Sequence, residues 1–258
     1  MASDAMVKNL VAQATAIWPQ EKALFARYGQ PGRILDLACG TGEITARLAE
    51  MYPQAAITGI DLDPAHLARA RERCGDDQRL QFAVGDAYHL DAPDGAYDLV
   101  VCRSLLQSVP DAQAVMNEMA RVTAPGAWMH VLVEDYAMLH FHPVDLDIDA
   151  FWKHGPRTHA ANLGVDLEVG RKGPVIARAA GLLEIRQDYV VVDTLRVEPE
   201  VFATILSCWH EAFATAVAQD TVYSLEELDA CWAAMLQCIR SPDGYAVWQV
   251  PIVSGRKP

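Results

Sequence analysis

Positive charge is scarce in this chain. Against 34 Asp and Glu there are 21 Lys and Arg, a formal net charge of −13, and the isoelectric point is near 4.9. That balance repels phosphate backbones and anionic bilayers, so neither nucleic acid nor a membrane is an expected partner. The single basic cluster, Arg69-Ala70-Arg71-Glu72-Arg73, has the spacing of a solvated helix face. No run reaches the eighteen uncharged apolar residues of a membrane helix. The first ten residues carry Asp4 and Lys8 and lack the apolar stretch of a signal peptide. CxxC pairs are absent as well. The six cysteines, Cys39, Cys74, Cys102, Cys208, Cys231 and Cys238, are scattered and fall largely inside apolar segments. Buried free thiols in a reducing cytoplasm are the expectation. Repeats and low-complexity tracts are lacking too.

What is present is enough for a core. The chain has 258 residues, 52% of them apolar, and a fold of that size buries roughly 70–75% of its unfolded surface. One domain over 1–258 is expected. Residues 4–28 carry Leu10, Val11, Ala14 and Ile17 at helical spacing, interrupted by Pro19. From Arg33 a different rhythm begins. Short apolar runs at 33–37, 56–60, 80–84, 97–102 and 128–133 alternate with helical patterns at 44–51, 64–74 and 111–123. Pro64 suits a first helical turn and Asp111 a cap. This alternation predicts an α/β fold with a doubly wound parallel sheet, ligands binding at the strands' carboxyl ends.

Beyond residue 134 the rhythm breaks. Residues 135–172 read as an irregular or short-helical insertion, 174–180 as a helix and 183–192 as a strand. A second insertion spans 198–240. Its first helix stripes Val201, Phe202, Ile205, Leu206, Trp209 and Phe213; its second opens on a capping box, Ser224-Leu-Glu-Glu227. Such stripes mean helices packed on each other, and at this edge of a sheet they also make a lid over a small acceptor. Tyr245–Val253 reads as the closing strand.

The chemistry concentrates at Asp36-Leu-Ala-Cys-Gly-Thr-Gly-Glu43, between the first strand and its helix. Two glycines allow a tight bend and close approach of a ligand to the main chain. The dinucleotide fingerprint wants Gly at its first, third and sixth positions; here stand Ala38, Gly40 and Glu43. A carboxylate at the helix start opposes a pyrophosphate, so a ligand without phosphates suits the bend better. At the second strand's end Asp61 can accept from both ribose hydroxyls, and Leu62 offers an apolar wall to a purine. At the third, Gly85-Asp86-Ala87 sets a carboxylate near an exocyclic amine. Three such features at consecutive strand ends specify a nucleoside site.

These motifs, with Tyr97-Asp-Leu-Val-Val101, resemble those of class I S-adenosylmethionine-dependent methyltransferases acting on small molecules. The likeness covers about residues 30–135. It implies a Rossmann-like sheet of seven strands with the last one antiparallel, and S-adenosyl-L-methionine as cofactor. Ala38 stands where the family often has Gly. By the resemblance, Gly40 and Gly42 line the methionine moiety and Asp36 supports its amino group. Asp61 holds the ribose, Leu62 meets the adenine, and Asp86 and Ala87 sit at its edge. Arg103, where the family often has Asn, flanks the methionine part.

For the acceptor side the candidates are Glu134-Asp135-Tyr136 at the fifth strand's end, with Asp135 and Tyr136 foremost and His140 as a general base. His140, His142, His154 and His159 lack a metal-ligand spacing, and no metal is expected. His210, beside Trp209, reads as a packed helix residue. The expected activity is in-line methyl transfer to an O, N or C nucleophile of a small molecule. Its rivals are a cyclase or lyase that consumes the same donor and releases methylthioadenosine, and a non-enzymatic nucleoside-binding partner subunit. A nicotinamide-dependent reductase is disfavoured by Glu43. The sequence leaves the oligomeric state open.

Overall fold

In the computed structural model residues 4–258 are described. Strand β1 (Arg33–Leu37) is buried from Ile34 onward, as a strand covered on both faces must be. It lies between β2 (Ala56–Asp61) and β4 (Tyr97–Arg103), with β3 (Leu80–Val84) outside β2 and β5 (Thr123–Leu132) outside β4, all parallel. The closing strand β8 (Tyr245–Arg256) is antiparallel to its neighbours and carries β7 (Leu183–Asp193) along one edge. Its other edge is shared. Trp128–Leu132 of β5 pair with one end of β8, and β6 (Leu139–His142) pairs with the other.

An eighth strand therefore joins the seven expected. Strand β6 comes from the first stretch expected to be irregular. The twelve residues of β8 outrun β5, and Leu139-His-Phe-His142 alternates along the edge left over.

The crossover helices start where the sequence caps them. Helix α2 (Glu43–Met51) follows the glycine bend, and Asp63 accepts from the Ala65 N–H at 2.8 Å to open α3 (Pro64–Cys74). Asp111 accepts from Ala114 N–H at 2.8 Å and opens α4 (Ala112–Val122), which buries Val115, Met116 and Met119. At the N-terminal end α1 (Asp4–Glu21) runs through Pro19 and gives way to a 3-10 turn at Lys22–Tyr28. The expected interruption at Pro19 is absent because Ala16, Ile17 and Glu21 are all buried, and tertiary packing outweighs one missing backbone hydrogen bond.

The remaining helices are α5 (Ile148–His154), α6 (Pro156–Asn162), α7 (Gly173–Ala179), α8 (Pro199–Asp220) and α9 (Leu225–Arg240), the last with both halves of the Ser224–Glu227 capping box formed. Phe151, Trp152, Phe202, Trp209, Trp232 and Trp248 join α5, α8, α9 and β8 in one apolar cluster. Helix α8 is long and apolar enough by length and composition to cross a membrane, with 44% of its most apolar window buried inside the protein. It packs against α1 and α9.

Candidate cofactor cleft and acceptor pocket

The bend after β1 is built from left-handed backbone: φ is 57° at Ala38, 54° at Gly40 and 76° at Gly42. A Cβ on Gly40 would stand 2.9 Å from Leu10 Cδ1 of α1, and one on Gly42 would stand 3.0 Å from Ala70 Cβ of α3. The Cys39 N–H donates to Ile60 O at 3.0 Å and ties the bend to β2. Glu43, the first residue of α2, pairs with Arg47 at 2.8 Å and with Arg73. A carboxylate thus occupies the helix start that a dinucleotide's phosphates would need.

Asp36 is 2% exposed and accepts from Thr45 Oγ1 at 2.6 Å. Burial pushes its carboxyl up to about 6, with the Thr45 hydrogen bond and the nearby Arg103 charge opposing. Asp61 is held differently. Burial disfavours its charge, but His66 and the N–H groups of Asp63 and Gly40 outweigh that and hold it below the usual carboxylate range. Gly40 N–H donates to Oδ2 at 2.8 Å and Asp63 N–H to Oδ1 at 2.9 Å, while His66 Nδ1 lies 3.3 Å from Oδ1. The same contact raises the pKa of His66.

Beyond Asp61, Leu62 is 71% exposed, and Val84 at the neighbouring tip is 57% exposed. Each is an apolar side chain left open at one of two adjacent strand ends. Asp86 is exposed and accepts from Tyr88 N–H at 2.9 Å; Ala87 is half-buried beside it. At the tip of β4, Arg103 is almost wholly buried, its Nε 3.2 Å from Glu21 Oε1. Glu21 is itself fully buried, and His130 bridges it, at 3.0 Å, to the Tyr28 hydroxyl, at 2.8 Å. Arg103, Asp36 and Ala38 line one cavity with Leu10 and Gln13 of α1.

Sequence reasoning missed His66, Glu21, His130 and the contribution of α1. The α1 signal was available: Asn9 and Gln13 are polar residues one turn apart on its buried face, unlike a helix that merely fills a core.

A second cavity, about 240 Å³, opens beyond the ends of β4 and β5. Tyr136, Trp152, Trp209 and Trp232 form its walls, and α6 and α8 complete it. Tyr136 donates its hydroxyl to Glu134 Oε2. Glu134 is 1% exposed, and its Oε1 has no hydrogen-bond partner among the described residues. Burial raises the Glu134 carboxyl pKa, while the polar side chains of Tyr136, Ser104 and Gln13 and the Arg103 charge pull the other way. Ser104 and Gln13 line the first cavity and Tyr136 the second. Glu134 sits between the two.

Two of the expected catalytic residues lie elsewhere. Asp135 is fully buried, but both its oxygens are taken: Arg171 donates from its guanidinium at 2.7 and 2.8 Å and from its N–H at 3.1 Å, and Ala137 N–H donates at 3.2 Å. It fastens the 169–172 turn to β5. His140 is exposed on β6 and lines neither cavity. The four histidines of the first insertion do not converge: His142 lies on β6 with His140, and His159 faces Asp220 at 2.9 Å. His210, half-buried, pairs with Asp229 at 2.6 Å beside the Trp232 ring.

Residues 34–126 match the model of a family described as a methyltransferase domain. Malonyl-[acyl-carrier protein] O-methyltransferase of Geobacter sulfurreducens is 43% identical over 101 residues, 39% of this chain and 38% of that protein. Demethylmenaquinone methyltransferase of Deinococcus radiodurans is 36% identical over 116 residues, 45% of this chain and 48% of that protein. Trans-aconitate 2-methyltransferase of Methylobacterium radiotolerans is 33% identical over 150 residues, 58% of this chain and 54% of that protein. The chain thus spans about half, or less, of the length of these relatives.

Among solved structures, Haemonchus contortus phosphoethanolamine N-methyltransferase 2 with S-adenosylhomocysteine aligns at a TM-score of 0.58 and 22% identity. The alignment covers 93% of this chain and 53% of that one. Geranyl diphosphate C-methyltransferase from Streptomyces coelicolor aligns at 0.57 and 12% identity, covering 93% and 77%. These two show the fold. With the family match, residues 34–126 carry the likeness of a methyltransferase domain within that fold.

Proposed function

We propose that the protein is an S-adenosylmethionine-dependent methyltransferase that moves a methyl group to an O, N or C nucleophile of a small molecule. The observation that carries this reading is the adjacency of the two cavities across Ser104, Glu134 and Tyr136. The residues of the first suit the cofactor. Asp61, kept ionised by its neighbours, binds the ribose hydroxyls. Leu62 lies against the adenine, with Asp86 and Ala87 at its edge. The backbone of Ala38, Gly40 and Gly42 passes beneath the methionine part, Asp36 accepts from its ammonium, and Arg103 flanks it. The stretches 135–172 and 198–240 act as the lid over the acceptor.

When bound, the cofactor supplies a methyl group already activated by the sulfonium charge. The work left to this chain is placement, an effect worth up to ~7–11 kcal/mol, together with removal of a proton from the acceptor where it carries one. Tyr136 and Glu134 suit that second task. The Tyr136 oxygen faces the acceptor cavity while its proton rests against Glu134, whose raised pKa favours taking it up. The aromatic walls exclude water from the transfer. The relatives named for demethylmenaquinone and trans-aconitate support an acceptor of small-molecule size.

Thermal shift with S-adenosylmethionine, S-adenosylhomocysteine and NAD, side by side, tests the reading. A ligand at 100 times its Kd adds about 2.7 kcal/mol of stability. The sulfonium and its thioether are expected to stabilise, and stabilisation by NAD alone would refute the proposal. Incubation with the donor and no acceptor should release no methylthioadenosine; its release would replace methyl transfer by an intramolecular displacement.

A further inference from the structure

We infer that the acceptor is an uncharged molecule with a largely hydrocarbon, ring-sized body, bearing one hydrogen-bond donor and one acceptor. The inference rests on the methyltransferase reading for what the second cavity is for, though not for what the cavity can hold.

Charge is the first constraint. Among the described residues lining the cavity there is no Lys, Arg, Asp or Glu. Its imidazole, His159, has Nδ1 2.9 Å from Asp220, and the Tyr136 hydroxyl is committed to Glu134. A carboxylate or phosphate would enter without a counter-ion, which is unfavourable in an apolar site. An ammonium would find ring faces and the Gln107 amide oxygen but no carboxylate on the lining, since Glu134 lies behind the Tyr136 hydroxyl that donates to it. Those faces are partly taken: Trp152 meets Trp232 at 80° and Trp209 at 88°, with centroids 5.5 and 6.4 Å apart. In each edge-to-face pair one ring already covers the other.

Polarity is the second constraint. Two polar groups on the wall lack partners among the described residues: the Trp152 indole N–H and the Gln107 amide oxygen. Both side chains belong to residues 4% exposed. Buried polar groups in folded proteins are rarely left unpaired. A guest that accepts from Trp152 and donates to Gln107 satisfies both, and a hydroxyl on a ring system supplies both functions. Of the rest of the wall, Trp209, Trp232, Phe213, Leu163 and Val217 ask only for hydrocarbon, and Ser108 adds one hydroxyl at an exposed position.

Three probes with one body and different charge decide this. They are 2-naphthol, 2-naphthoate and (2-naphthylmethyl)trimethylammonium, titrated at pH 7.5 by calorimetry into the full chain with and without S-adenosylhomocysteine. The expected result is saturable binding of 2-naphthol at least tenfold tighter than of either ion. Trp152→Phe should weaken it about five- to tenfold by removing the indole N–H while keeping a ring. Ala214→Leu, which narrows the cavity, should weaken it too, with the S-adenosylhomocysteine thermal shift retained in both variants. Equal or tighter binding of an ion, or no saturable binding of the naphthol, overturns the inference. Loss of the S-adenosylhomocysteine response with naphthol binding intact instead overturns the methyltransferase reading and leaves the pocket chemistry standing.

Discussion

Asp36 and Asp61 stand on neighbouring strands, yet their surroundings tune them in opposite directions. Asp61 gathers hydrogen bonds from Gly40, Asp63 and His66 and stays ionised. Replacing it with Ala should weaken S-adenosylhomocysteine binding on the order of tenfold to a hundredfold, about 1.5–3 kcal/mol for hydrogen bonds to a charged group, as read by calorimetry. Asp36, with its carboxyl pushed up to about 6, should make binding acid-sensitive. Below that pH a proton competes with the ligand's ammonium for the carboxylate, so affinity falls by close to tenfold per pH unit. The same titration on Asp36→Asn should give weak binding with a flat profile between pH 5 and 7. At the other cavity, Tyr136→Phe and Glu134→Gln should each lower kcat by roughly 10²–10⁴, the usual range for a lost proton-transfer group. Their S-adenosylhomocysteine affinity should match the parent, which separates a proton role from a structural one. The sequence placed Asp36, Asp61 and Tyr136 at the carboxyl edge of the sheet because each lies at or just beyond the end of a short, mainly apolar strand. Asp135 misled the reading: its position was right, but the claim of Arg171, 36 residues on, is invisible locally.

The elements that carry the cleft were the most legible part of the fold. From β1 to α4 the boundaries follow from local chemistry, with Pro64 in a first turn, Asp63 and Asp111 as caps, and Gly40 and Gly42 at two of the left-handed positions of the bend. Strand β6 was not legible. Four alternating residues are too short a signal, and their partner on β8 lies about a hundred residues away. The bend between β1 and α2 is the element most sensitive to change. Gly42 has a φ of 76° and would place a Cβ 3.0 Å from Ala70 Cβ. Gly42→Ala should therefore cost ~1–3 kcal/mol of stability through backbone strain and crowding, measured by urea unfolding. Cofactor binding should fall with it, because the shift needed to relieve α3 moves the bend itself.

Across the whole molecule, a line of buried polar groups crosses the interior from Tyr28 through His130 and Glu21 to Arg103 at the cleft. Burial works against the Glu21 charge, and Arg103 and His130 overcome it, so its pKa lies below the usual value. Its contribution to stability is thus fully present above the ordinary carboxylate range and is lost as pH falls through the depressed value. Arg103→Leu removes the main counter-charge and should destabilise by ~3–5 kcal/mol, as expected when one partner of a buried pair is lost. In urea unfolding at several pH values, its deficit against the parent should shrink on acidification, because protonating Glu21 relieves the buried charge that Arg103 no longer balances. No local pattern announces this line, since Glu21 and His130 are 109 residues apart and meet only once the sheet has formed. Helix α1 carries Glu21 at one end and Leu10 and Gln13 over the cleft, and its flank rests on α8, which supplies Trp209 to the aromatic chamber. One rod is at once a roof over the first cavity and a buttress for the ceiling of the second. Any tilt of α1 that opens the first therefore slackens the wall behind Trp209, which ties the two cavities mechanically.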